Sequence, residues 1–326
     1  MKAYRFIFGL VCGLSLLVGM GGVEAQEKYP SRPIELVVVM TPGGVADLSA
    51  RTYNEELAGA LKVPVTVVNR AGGGGIAGTA YAARAKKDGY TVLQTNESPM
   101  VTLPVISKDV TYDPLKDLLP LARYVTFPNL FAVRSDSPFK ELKDLVEYGQ
   151  KNPGKLRGSS GALWNASHLN FELFCAANKI KPVAIPYGSA GEAVAALLGG
   201  HLDLLSVTPP SIAPHIKAGK ARGLCFTSRT QDPNLPDIPT TAQLGYSHES
   251  YDGWLGVFVP AGVPQEVVNV LAPALEKTFK NPEVVQRAAK IGCVVDYMGP
   301  EEFRKYIESR FPVMRKIAED NNLIKK

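Results

Sequence analysis

Short β-branched runs alternate with helical patterns along the whole chain, and several break off in glycine, serine or asparagine just before the next helix. This alternation restricts the fold more than any other feature. Ile34 to Met40 reads as a fully buried first strand, and helical spacing follows from Ala46 to Leu61, with Leu48, Leu57 and Leu61 on the apolar side. Val65 to Asn69 gives a second strand. A glycine run leads into a small-residue helix from Gly78 to Ala85, and Thr91 to Gln94 gives a third strand. A βαβαβ order of this kind implies a parallel sheet with helices on both faces.

The middle of the chain repeats the pattern. Ser137-Pro138 opens a helix to Lys151, with serine as N-cap and proline in the first turn. Leu156 to Ser160 is a strand, Ser167 to Asn178 a helix and Val183 to Pro186 a strand. A helix to Leu198 and strands at Leu202 to Val207 and Gly223 to Ser228 complete the unit. The C-terminal third offers a strand from Trp254 to Val259 and helices at Pro264 to Lys280, from Asn281-Pro282-Glu283, and from Glu301 to Asn321. One strand and three helices make a poor third domain, so this tail is expected to pack back on the first. The expected division is a leader over 1–25, a first domain over 26–126 and 229–326, and a second over 127–228. Two chain crossings, near Val125 to Phe127 and Thr227 to Arg229, would form a hinge.

The leader is read from Lys2 and Arg5, the apolar run Phe6 to Val18, and the small-residue exit Val23-Glu24-Ala25, with cleavage before Gln26. The run is short for a membrane span, and the 301 residues after it are expected outside the cytoplasm, in a periplasm. Removing Lys2, Arg5 and Glu24 from 36 Lys and Arg and 31 Asp and Glu leaves 34 against 30. That mild balance, without basic runs, argues against nucleic acid. Cys175, Cys225 and Cys293 each lie in apolar stretches and read as buried hydrophobes. No Cys/His spacing calls for a metal, and no cofactor is expected.

The chemistry sits at three strand-to-helix junctions. Thr41-Pro42-Gly43-Gly44 leaves backbone N–H groups at a helix N-terminus, where the dipole favours an anion. Asp47, in the first turn, either complements the dipole or touches the ligand. Ser160-Gly161 and Asn165-Ala166-Ser167-His168 form the second junction, as ordinary caps, as a carboxylate cradle, or both. Tyr187-Gly188-Ser189 forms the third. Junctions at the carboxyl ends of strands are where α/β sheets bind ligands. Trp164 is a hint of ligand shape or a packing residue. Gly73 to Gly78 satisfies G-x-G-x-x-G, but it follows the second strand, and neither Asp88 nor Glu97 is placed to take a ribose. A Ser/His hydrolase using Ser167 or Ser160 with His168 is disfavoured, because adjacent helical residues point about 100° apart and no G-x-S-x-G elbow is present.

In order along the chain, the sequence resembles the Bug family, the substrate-binding receptors of tripartite tricarboxylate transporters. The landmarks are Tyr29-Pro30-Ser31-Arg32-Pro33-Ile34, Pro42-Gly43-Gly44 with Asp47, Asn69-Arg70, Asp88-Gly89-Tyr90-Thr91 and Tyr112-Asp113-Pro114. Further marks are Pro153-Gly154-Lys155-Leu156, Ser167-His168-Leu169, Pro186-Tyr187, Leu197-Leu198-Gly199-Gly200, His215 to Lys220, Leu235 to Thr240 and Pro260-Ala261-Gly262. The resemblance implies an α/β, two-domain periplasmic-binding-protein (Venus-flytrap) fold with mostly parallel sheets. It also implies a monomeric receptor that pinches a small carboxylate between its domains and hands it to a membrane permease. A sensory receptor for the same ligands is the alternative. Carried onto this chain, the family's ligand contacts fall on Pro42, Gly43, Gly44, Asp47, Ser160, Ser167, His168 and Tyr187.

The departures bear on the ligand. The family's threonine before the aspartate is Ala46 here, its small loop after Ser160 is Gly161-Ala162-Leu163-Trp164-Asn165, and its Tyr-Lys-Gly-Ser run is Tyr187-Gly188-Ser189-Ala190. An aspartate after the Leu202 strand is Val207, followed by Thr208. Polar groups are lost and bulk is gained, so the expected ligand is a less polar carboxylate, an aromatic one included.

Overall fold

A computed structural model describes residues 28–161, 165–246, 250–320 and 323–324. The leader and Trp164, with Ala162 and Leu163, lie outside the described residues. The first part of the chain runs β1 (Ile34–Val38), α1 (Val45–Leu61), β2 (Val65–Asn69), α2 (Ile76–Ala83), β3 (Thr91–Asn96), α3 (Leu103–Ile106) and β4 (Leu118–Phe127). The middle runs β5 (Leu130–Arg134), α4 (Leu142–Lys151), β6 (Arg157–Ser159), α5 (Ala166–Ala177), β7 (Val183–Ala184), α6 (Ala190–Leu198), β8 (Leu204–Val207), α7 (Pro209–Lys217) and β9 (Ala221–Phe226). The last part is β10 (Gly253–Pro260), α8 (Gln265–Phe279), α9 (Pro282–Lys290), β11 (Val294–Met298) and α10 (Pro300–Asp320).

Two sheets result, ordered β11-β4-β10-β3-β1-β2 and β7-β6-β8-β5-β9. β1 pairs parallel with β2 and β3, but β10 returns from the far half of the chain and inserts antiparallel between β3 and β4. In the second sheet β6 is parallel to β7 and β8, whereas β5 is antiparallel to β8 and β9. Both sheets are therefore mixed rather than mostly parallel. The tail packs on the first sheet as its composition implies.

Alternation along β1 explains the layers. Leu36 and Val38 pack under α1 and α8 with Tyr53, Leu57, Leu271 and Phe279, while Val37 and Val39 face Trp254, Phe258, Phe303 and Met314 on the other side. In the second sheet Leu130 and Ala132 of β5 lie with α6 residues, and Phe131 and Val133 with α4 and α5. Gln94, fully buried, accepts from Tyr53 Oη at 2.8 Å and donates to Ala46 O at 2.6 Å. This clamps the first turn of α1 over β3. Cys175, Cys225 and Cys293 are free and buried, and burial pushes their thiols up, Cys293 to about 12.

The two sheets are joined by crossings that run side by side. Thr227 N donates to Asn129 O at 2.8 Å and Asn129 N to Ser228 Oγ at 2.7 Å. Some local readings change. Leu48 is exposed rather than on the apolar side. The helix expected from Ser137 begins at Leu142, because Glu141 and Asp144 form a reciprocal capping box there, leaving Ser137 Oγ to accept from Phe139 N in a turn.

Candidate functional site

A cavity of about 490 Å³ lies between the sheets, beside the crossings. Thr41, Gly44, Val45 and Ala46 reach it from the start of α1, and Asn96 and Glu97 from the end of β3. Gly253 and Leu255 of β10 and Ile291-Gly292 before β11 complete the first-sheet side. Asn165, Ala166 and Ser167 at the start of α5, and Thr208 and Pro210 at the start of α7, form the opposite side, with Phe127 and Asn129 on the crossing between. Helix N-termini from both sheets thus converge on one space. The first N–H groups of a helix have no intrahelical acceptor, so Val45, Ala46, Ala166 and Ser167 carry donors and a positive dipole end there. Pro209 and Pro210 carry none, and Pro210 contributes apolar surface instead.

Several sequence candidates take supporting places. The carboxylate of Asp47 is buried and accepts from Gly43 N at 2.9 Å, Asn69 Nδ2 at 3.0 Å, and Arg51 Nε and Nη2 at 3.0 Å. The guanidinium and amide donors hold its carboxyl down to about 2, against the opposing effect of burial. Asp47 fixes the turn Thr41-Pro42-Gly43-Gly44 rather than lining the cavity, and Thr41, Pro42 and Gly43 are the exposed tip of that turn. Ser160 is buried just beyond β6, and Gly161 O accepts from Tyr187 N at 3.1 Å. Tyr187 packs on the second-sheet core, so the third junction at the cavity is Thr208–Pro210 and not Tyr187-Gly188-Ser189. Val207 also faces that core, among Leu130, Ile212 and Phe226, and its side chain is not what makes the cavity less polar.

Asn165 caps α5, accepting from His168 N at 2.9 Å. Ser167 Oγ donates its one hydrogen to Asn129 Oδ1, and Ser167 O accepts from Ser206 Oγ at 2.8 Å. His168 is buried, and desolvation pushes its imidazole down to about 4. Its 3.6 Å approach to Glu172 is therefore no ion pair at neutral pH. With the Ser167 hydrogen given to Asn129, the geometry offers no support for a Ser/His relay. The glycine run Gly73–Gly75 stands off the cavity. Gly75 sits at φ +101, where a Cβ would meet Pro99 Cγ at 3.0 Å, so its glycine serves close packing.

Glu97, Asn96, Asn129, Phe127, Leu255 and Ile291 are wall residues that sequence reasoning missed. For Glu97 the signal was present: an acid directly after β3, at the same sheet edge as Thr41–Gly44. Its carboxyl is buried, accepts from Trp254 N at 3.3 Å, and is pushed up to about 7 by desolvation. Among the described residues no lysine or arginine lines the cavity. Among the described residues there is no cluster of His, Cys, Asp or Glu fit for a metal, and no helix is long and apolar enough to cross a membrane.

The model of the tripartite tricarboxylate transporter family receptor matches residues 49–323. The chain belongs to this family. BugT of Bordetella pertussis is 30% identical over 302 residues, covering 91% of this chain and 93% of that protein. Among solved structures similar to this receptor, the periplasmic binding protein BugD is 30% identical with a TM-score of 0.69, over 91% of this chain and all (100%) of BugD. A protein of R. palustris solved with adipate is 27% identical with a TM-score of 0.72, over 89% and 97% of the two chains. The two-sheet architecture of this receptor is therefore that of periplasmic solute-binding proteins.

Proposed function

We propose that this chain is a periplasmic receptor that closes on one small carboxylate and hands it, as a monomer, to a membrane permease. The observation that carries the reading is the convergence of the α1 and α5 N-termini, from different sheets, on a cavity that no lysine or arginine among the described residues lines. Such a cavity holds an anion through the backbone N–H groups at the starts of α1 and α5, Ser167 N–H among them, and through the Thr208 hydroxyl. The adipate in a related protein fits this chemistry. Residues 1–25 act as the cleaved leader. The halves 26–126 with 229–326, and 127–228, move as bodies about the paired crossings at Phe127–Asn129 and Thr227–Ser228.

Met40, Val45, Phe127, Pro210, Leu255 and Ile291 give the cavity an apolar lining. This supports a less polar carboxylate, aromatic acids included, in place of the polar triacids of the family name. Thermal-shift measurements with benzoates, medium-chain mono- and dicarboxylates, citrate and amino acids test it. Stabilisation by apolar acids is expected, and a response to citrate alone would overturn the apolar assignment. Scattering with and without a saturating acid should show compaction, and superimposable profiles would remove the closing motion.

A further inference from the structure

The cavity has two chemically different sides. The α1 and α5 starts bring donors, whereas the end of β3 brings acceptors. Glu97 lines the cavity with a buried carboxyl whose tertiary hydrogen bond is the long one from Trp254 N to Oε2. Beside it, Asn96 also lines the cavity, and its Oδ1 is buried with no hydrogen-bond partner. An unpartnered buried acceptor is destabilising, and a buried carboxylate with no cation against it among the described residues costs more. Both deficits sit at consecutive residues on one patch of wall.

We infer that Glu97 and Asn96 form a specificity subsite for a hydrogen-bond donor on the ligand, so that the solute is an apolar-bodied carboxylate bearing a hydroxyl or amino group. The inference rests on the carboxylate-receptor reading, because the acid group occupies the helix N-termini and only the remainder of the ligand faces β3. A donor there meets the Glu97 carboxyl, and Asn96 Oδ1 as well once the amide turns towards the cavity. An unsubstituted acid leaves both unmet. The high carboxyl pKa of Glu97 reflects the same want of a partner.

Isothermal titration of the purified mature chain with matched pairs tests this: benzoate against 3- and 4-aminobenzoate and the hydroxybenzoates, and hexanoate against 6-aminohexanoate. The amino acid of at least one pair should bind ten-fold or more tightly than its parent. In Glu97→Ala that ratio should fall to near one. Glu97→Gln guards against loss of folding: its amide oxygen still accepts from Trp254 N, while its NH₂ replaces an acceptor, and the amino preference should also disappear. Equal binding of parent and amino acid in the unmodified chain, or a preference that survives both substitutions, overturns the subsite and leaves the receptor reading standing. Binding of none of these acids overturns both.

Discussion

Replacing Asp47 by asparagine tests the claim that this carboxylate is a structural tether. In the folded chain it takes four hydrogen bonds, from Gly43 N, Asn69 Nδ2 and two nitrogens of Arg51. Its carboxyl is held at about 2, against the ordinary value of 3.8. A difference of about two units corresponds to about 2.5 kcal/mol. The side chain of Arg51 is 51% exposed, so water screens part of this, and about 2 kcal/mol is expected. Because the folded carboxyl titrates below its unfolded value, the unfolded chain takes up protons first as the solution is acidified. The stabilisation is therefore complete above pH 4 and is lost as pH falls towards 2, with about half gone at pH 3. Urea unfolding of the parent chain and Asp47→Asn, at pH 7 and pH 3, measures both quantities. The variant should be about 2 kcal/mol less stable at pH 7 and about 1 kcal/mol less stable at pH 3. Equal stabilities at pH 7, or a gap that does not narrow with acid, would refute the tether.

Two further outcomes follow from the same geometry. His168 is neutral and buried with its pKa lowered to about 4, so the stability it contributes is full above pH 6.5 and falls away between 6.5 and 4. Its ring resonances should not titrate between pH 8 and 5.5 by NMR, and a midpoint near 6.5 would show the ring to be solvated. Asn129→Ala removes the acceptor of Ser167 Oγ at the paired crossings. It should cost about 1 kcal/mol and weaken carboxylate binding, whereas unchanged affinity by titration would detach Ser167 from the site.

Where the chain writes one element as one uninterrupted pattern, the sequence was readable. Val65–Asn69 is a strand at its expected bounds because its β-branched run lies between Pro64 and the glycine loop. β4 was not readable. Pro120, Arg123 and Thr126 interrupt its apolar run, and proline argues against an interior strand. The structure accommodates Pro120 where the pairing with β10 shifts register between Val257 and Phe258, and it pairs the buried Arg123 with Asp296. α7 was hidden by Pro209 and Pro210, which are harmless at the first helical positions, where no N–H is needed. The same division holds at the cavity. Gly44, Asn165, Ser167 and Thr208 announce themselves as strand-to-helix junctions. Leu255, Ile291 and Gly292 reach the cavity only because β10 and β11 return antiparallel from more than 120 residues beyond Phe127, a pairing no local pattern encodes.

Gly292 and Pro210 stand on opposite sides of the cavity, one before β11 and the other in α7, yet a Cβ built on Gly292 would come within 2.4 Å of Pro210 Cγ. Here the two sides meet edge to edge, the Pro210 ring against the bare backbone of Gly292, which is left-handed (φ +74). On the proposed closing motion, a methyl group at this position would hold the two sides apart. If the two halves close on a solute as proposed, its residence time depends on how fast this edge parts.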